Sequence, residues 1–263
     1  MKKLLAILSL LILLPLNVYS QDQNFPGRAT YPNVNVYELS QLKDNLDKVI
    51  VIDARSSYEY ETLHINGALN VPLVSKTFSG RIKELAKENK DLVFYCNGHT
   101  CYKSYKAVLK ARNAGVERGF SFDAGIFDWA NAYPEKSTLL GQTPIDPASL
   151  ISKDNFKKHL LDPKQFGEAI NDDVVILDIR EPAQRGLIEL YPYRQENISM
   201  SQKDKMAKLL GKIKETGKTL LAYDEAGKQV AWLQYTLEAH KLPKYYFMKG
   251  GAKQFFKDIR KKK

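Results

Sequence analysis

Residues 93–104 read Val93-Phe94-Tyr95-Cys96-Asn97-Gly98-His99-Thr100-Cys101-Tyr102-Lys103-Ser104. Three apolar residues run straight into a cysteine. A short loop with one glycine follows, and residues 102–114 then carry helical spacing, stopped by Gly115. A buried strand that ends on a cysteine just before a helix places the thiol near free backbone N–H groups and the positive end of a helix dipole, both of which stabilise S⁻. Cys96 is therefore the candidate nucleophile. Cys101, in the same stretch, is the only other cysteine of the chain. Two thiols make no disulfide framework and are too few for a structural zinc site, so neither a metal nor another cofactor is expected.

Upstream, residues 49–52 form a continuous β-branched run that ends in Asp53-Ala54-Arg55, the composition of a strand buried on both faces. Between this run and Cys96 lie a short helix start at 56–61, a turn and short strand over 64–72, and a helix over 81–89. An earlier stretch, 36–46, also has helical spacing. Downstream come a strand at 120–122, ended by Ala124-Gly125, and a helix start at 127–132. Strands alternating with helices predict an α/β fold with parallel strands joined by right-handed crossovers.

The pattern then restarts. Val174, Val175, Ile176 and Leu177 lead into Asp178-Ile179-Arg180, repeating the run that ends at Arg55, and Tyr245–Met248 is followed by Gly250-Gly251 as the strand at 120–122 is by Ala124-Gly125. Near-equal offsets separate Asp53 from Asp178 and Gly125 from Gly251, which indicates an internal duplication. At the counterpart of Tyr95-Cys96 the second copy reads Tyr223-Asp224. A carboxylate cannot replace a thiolate nucleophile, so the second copy is expected to be degenerate, packing on the first, shaping its entrance or binding a partner. The expected organisation is a signal peptide over 1–20, a linker over 21–32, a first and catalytic domain over 33–141, a linker over 142–152 and a second domain over 153–263.

The first copy resembles the rhodanese superfamily. The residues that carry the resemblance are Val51-Ile52-Asp53-Ala54-Arg55, His64-Ile65-Asn66-Gly67-Ala68 with Val71-Pro72, Phe94-Tyr95-Cys96, and Ala124-Gly125-Ile126 with Trp129. The resemblance implies two tandem domains, each a parallel sheet flanked by helices on both faces, with a persulfide formed on the loop cysteine of the active copy. The implied activity is sulfurtransfer: the Cys96 thiolate takes a sulfane sulfur from a small sulfur-containing anion or a persulfide, and an acceptor such as cyanide or a thiol removes it. Asn97, Gly98, His99, Thr100, Cys101, Tyr102, Lys103 and Ser104 are the expected binding loop, whose N–H groups would cradle an anion. Asp53 and Arg55 are expected to support the site as an ion pair. The loop has no arginine, and this departs from many relatives and weighs against thiosulfate as the natural donor.

Three readings of Cys101 stay open: a resolving thiol, a partner in a resting disulfide, or a small residue that starts the helix. The first would make the chain a thiol–disulfide redox protein with a protein redox partner, and the degenerate second copy keeps a non-catalytic binding module in view. A phosphatase with the Cys-x5-Arg motif is excluded because Tyr102 stands where the arginine would clamp the phosphoryl oxygens.

Bulk properties fit these expectations. The 263 residues are 44% hydrophobic and 27% charged, enough for one large or two ordinary cores. The net charge is +10, with Lys257, Arg260, Lys261, Lys262 and Lys263 at the end, and no nucleic-acid motif accompanies it. Lys2 and Lys3, the apolar run to Leu16, and Val18 and Ser20 before Gln21 have the form of a cleavable export signal. Periplasmic or secreted localisation is expected, with no membrane span once the signal is removed.

Overall fold

The computed structural model describes residues 25–186 and 188–261. The expected signal segment lies outside them. The chain forms two α/β units, each around a parallel sheet. In the first, β1 (Val49–Asp53) is fully buried; with β2 (Leu63–Ile65), β3 (Leu69–Asn70), β4 (Asp91–Tyr95) and β5 (Gly119–Phe122) still to be placed, four strands pair in the order β3-β1-β4-β5. All three pairings are parallel. β2 instead pairs antiparallel with β6 (Ser137–Leu139).

The strands sort their side chains with period two. Val49, Val51, Val93, Tyr95 and Phe122 face one layer with Trp129 and Ile126. Ile50, Ile52, Leu92 and Phe94 face the other, against Phe78, Ile82, Tyr105 and Val108. Two helical covers explain why β1 reads as an unbroken β-branched run.

The second unit repeats the plan. β7 (Leu160–Leu161), β8 (Val174–Asp178), β9 (Gln195–Asn197), β10 (Thr219–Tyr223) and β11 (Tyr245–Met248) form a parallel sheet in the order β7-β11-β10-β8-β9. Asp53 pairs in register with Tyr95, and Asp178 with Tyr223. Cys96 and Asp224 therefore leave their sheets at the same place.

The two units share a core. Trp232 and Tyr235, on the second unit's helix Val230–Ala239, are buried in the first unit's cluster with Trp129 and Ile145. The Trp232 ring stacks on Phe127 at 5.6 Å, and the Ile151 N–H donates to the Tyr235 hydroxyl at 3.2 Å.

Several expected elements differ. The helix expected over 36–46 shortens to Leu39–Asp44, because Val36 bridges to Ser121 at the sheet edge. The helix expected over 81–89 is Phe78–Ala86, since Phe78 and Ile82 are the residues the core takes. The stretch expected as a linker over 21–32 holds the helix Pro26–Thr30, started by Pro26 and seated on the first unit. Arg28 donates to Asp123 at 2.9 Å, and Gly27 lies so close to Tyr105 that a Cβ would come within 2.3 Å of its ring. The stretch expected as a linker over 142–152 is likewise packed: Ile145, Leu150 and Ile151 join the first core.

Candidate active site

The carboxyl end of β4 delivers Cys96 to the foot of a loop, and the helix Lys103–Asn113 leaves from the other end of it. A latch holds the loop down. The Ile126 N–H donates to the Cys96 carbonyl at 3.0 Å, and the His99 N–H donates to the Asp123 carbonyl at 2.8 Å. This close approach needs glycine on both sides: Gly98 has φ +110° and Gly125 φ +68°, and a Cβ on Gly125 would lie 2.3 Å from the Gly98 nitrogen.

Cys96 is 0% exposed. Its Sγ lies 3.0 Å from the Cys101 carbonyl oxygen and 3.8 Å from the Ser104 hydroxyl oxygen. Backbone N–H groups of Gly98 and Ser104 also point at the sulfur. Burial nevertheless pushes the Cys96 thiol well up from its ordinary value, and the neighbouring Cys101 adds to the shift. The Cys101 thiol is held down to about 6, first by the hydrogen bond from the Cys96 side chain and, against the opposing effect of burial, by the N–H groups of Lys103 and Asn97 and the Lys103 ammonium. Burial and the facing carbonyl oxygen thus oppose ionisation of Cys96, while the N–H groups of Gly98 and Ser104 favour it.

Both cysteines are free thiols. Cys101 is not the start of the helix, which begins at Lys103 with Tyr102 as its cap. Of the three readings of Cys101, a resting disulfide and a helix-start role are therefore not seen.

Asp53 and Arg55 reach the loop through a chain of side chains. Arg55 is fully buried and donates twice to Asp53, at 2.9 and 2.5 Å, and to the Leu63 carbonyl at 2.6 Å. Its remaining nitrogen donates to the Asn97 side-chain amide oxygen Oδ1 at 3.3 Å, and the Asn97 amide nitrogen in turn donates to Glu59 at 3.4 Å. Glu59 closes the chain on Lys103 at 3.5 Å. Burial pushes the Glu59 carboxyl up, but Lys103, Ser56 and Arg55 together hold it below its ordinary value. The β1 ion pair therefore orients the residue next to Cys96. Glu59 was missed in the sequence, although Ser56-x-x-Glu59 is a capping box, with the Ser56 N–H donating to Glu59 at 3.0 Å.

Two cavities flank the loop. One, of about 500 Å³, lies between the units, with Asn97, Thr100, Cys101 and Lys103 on one wall and Lys228 and Lys253 on the other. Cys101, not Cys96, reaches it. On the far side His99 lies 2.8 Å from Asp128 and stacks on Phe25 at 4.5 Å. Neither Phe25 nor Trp232, whose ring lies 5.1 Å from the Arg55 guanidinium, carried a signal in the sequence. Among the described residues no group of three or more His, Cys, Asp or Glu side chains is placed to hold a metal ion.

Residues 36–132, within the first unit, match the model of the Rhodanese-like domain. Over 160 residues, 59% of this chain and 40% of the relative, the chain is 29% identical to the tRNA uridine(34) hydroxylase of Photorhabdus laumondii. Over 82 residues, 31% of this chain and 34% of the relative, it is 37% identical to an HTH-type transcriptional regulator of Mycobacterium tuberculosis. The chain thus spans well under half the length of these curated relatives. Among solved structures, a thiosulfate sulfurtransferase from Pseudomonas aeruginosa aligns over 88% of this chain and 47% of its own, with 19% identity and a TM-score of 0.35. A human single-domain sulfurtransferase aligns over 37% of this chain and 96% of its own, with 20% identity and a TM-score of 0.31.

Proposed function

We propose that this chain is a sulfurtransferase that carries sulfane sulfur as a persulfide on Cys96 and hands it to a thiophilic acceptor such as cyanide or a thiol. The observation that carries the reading is the loop after β4. It sets a single sulfur at the carboxyl end of a parallel sheet, under N–H groups of Gly98 and Ser104, in the stretch that matches the Rhodanese-like domain. The second unit supports it from the other direction. There the equivalent loop wraps the Asp224 carboxylate in the N–H groups of Ala226, Gly227, Gln229 and Val230. A loop of this build is a cradle for an anion, and in the first unit a persulfide would fill that place.

Loading begins with proton exchange. Cys101 takes the Cys96 proton across their hydrogen bond, and the Cys96 thiolate attacks the donor's sulfane sulfur, displacing the donor's remaining fragment with its electron pair. Lys103, Lys228 and Lys253 share the cavity wall with Glu59, Asp224 and Glu225, so the entrance carries both signs of charge. Residues 1–20 support export, so the reaction belongs to the periplasm or the medium. Among the described residues no helix is long and apolar enough to cross a membrane.

The test is sulfur transfer from several donors with mass spectrometry of Cys96. Cys96→Ser should abolish transfer, and Cys101→Ser should retain at least part of it. Full transfer by the Cys96→Ser protein would sink the reading.

A further inference from the structure

We propose that Cys101 is a resolving thiol: it cleaves the Cys96 persulfide inside the loop, releases the outer sulfur as sulfide, and leaves a Cys96–Cys101 disulfide that a dithiol reductant must reopen. This rests on the sulfur-carrying role of Cys96 and makes Cys101 the reductant that releases that sulfur as sulfide.

The argument is one of access and position. Cys96 is 0% exposed, and the loop folds back over it so that its Sγ lies 3.0 Å from the backbone oxygen of Cys101. The inner sulfur is therefore shielded from an external thiol, and residue 101 is part of the shield. Cys101 is already there, its backbone oxygen against Cys96 Sγ and its residue on the cavity wall. It also lines the cavity between the units, where a reductant and a leaving sulfide have a path to solvent. N–H groups of Asn97 and Lys103 and the Lys103 ammonium stabilise it as the attacking thiolate, and its thiol is held down to about 6.

The step balances. The Cys101 thiolate attacks Cys96 Sγ. The bond from Sγ to the outer sulfur breaks, and that sulfur leaves as HS⁻ with the persulfide's proton and the bonding pair. One disulfide bond forms for the one broken. The sulfane sulfur gains two electrons, and the two cysteine sulfurs together lose two. A dithiol of the thioredoxin-like class then reduces the disulfide by exchange and is itself oxidised. Over the cycle, sulfane sulfur and a dithiol become sulfide and a disulfide.

The experiment is a single turnover. Reduced full-length protein in excess is mixed with thiosulfate or, separately, glutathione persulfide, without added thiol and under anaerobic conditions. Sulfide is quantified and intact and peptide masses are recorded. The wild type should release one sulfide per sulfur taken up and end two hydrogens lighter, with the bridge mapped to Cys96 and Cys101. Cys101→Ser should hold the added sulfur on Cys96 and release none. A wild-type protein that keeps its added sulfur without releasing sulfide overturns the resolving role while leaving the persulfide reading intact. If neither thiosulfate nor glutathione persulfide loads wild type or variant, both readings are overturned.

Discussion

Two loops leave two parallel sheets at the same register, and they spend the same geometry differently. In each, the residue after the strand's last tyrosine is held by an N–H from the turn beyond the next strand: Ile126 to Cys96 at 3.0 Å, Ala252 to Asp224 at 2.8 Å. In each, an Asp-x-Arg pair braces the sheet end, with the arginine reaching on to a carbonyl, Leu63 or Ile188. The second loop then fills its own cradle with the Asp224 carboxylate, which four N–H groups satisfy. The first loop holds the Cys96 sulfur there, facing a carbonyl oxygen. One loop is a finished structural element. The other is kept short of its best electrostatics, and that deficit is where chemistry can be done.

The largest effect should come from making the first loop like the second. Cys96→Asp removes the sulfur carrier and supplies a carboxylate for the N–H groups. Sulfur transfer should fall by at least about 1,000-fold while the protein still folds, as read by a cooperative melt. Transfer within tenfold of wild type would mean that the two loops do not differ in the way described.

Next come the glycines of the two latches. An alanine Cβ at Gly125 would lie 2.3 Å from the Gly98 nitrogen, and one at Gly251 would lie 2.4 Å from the Asp224 carbonyl oxygen. Each residue also has positive φ, so each alanine should cost about 1–3 kcal/mol of stability in denaturant melts. Only Gly125→Ala should also slow sulfur loading, by about tenfold or more, because it displaces the loop over Cys96. Equal loss of loading in both variants would remove the functional asymmetry between the units.

Removing the occupant of each cradle gives the third contrast. Asp224→Ala leaves four loop N–H groups without their acceptor in a buried position and should cost about 2–4 kcal/mol. Cys96→Ala leaves only a small cavity and should cost about 1 kcal/mol. Thermal melts of the two variants check this, and the reverse order would show that the Asp224 cradle is not a stabilising device.

Much of this contrast could be read from the sequence, and the reasons are physical. The run from Val49 to Ile52 needs burial on both faces, so it announces a parallel sheet. The Asp-x-Arg repeat and the change from Cys96 to Asp224 are local, and the sheet register preserves them. What escaped notice depends on long-range contacts. Trp232 looks like an ordinary apolar helix residue until the second unit lays it over Phe127 and the Arg55 guanidinium. Pro26–Thr30 is polar and short, and only the buried Asp123, to which both Arg28 and Tyr105 donate, gives it a seat. The opposed shifts of the two thiols were also out of reach. Helix dipole and loop N–H groups can be inferred from spacing, but the depth of a sulfur and the carbonyl that faces it cannot.

That last point sets the finest test of the comparison, the pH dependence of the loop's thiols. A thiolate reacts with iodoacetamide and a thiol does not, so the rate follows the fraction deprotonated. The Cys101 thiol is lowered, to about 6, so its alkylation should rise as pH increases through about 6 and level off above. Cys96, raised by burial, should stay unreactive over the same range. The first cause of the lowering is the hydrogen bond from Cys96. Cys96→Ala deletes that donor, and the Cys101 midpoint should move up towards that of an ordinary thiol. The N–H groups of Asn97 and Lys103 remain in the variant, so part of the lowering should survive. Peptide mapping of the alkylated protein across pH reads both midpoints. A Cys101 midpoint unchanged by Cys96→Ala would assign its acidity to the loop backbone and Lys103 alone. The first loop would then stabilise an anion at residue 101 without help from Cys96, much as the second does at Asp224.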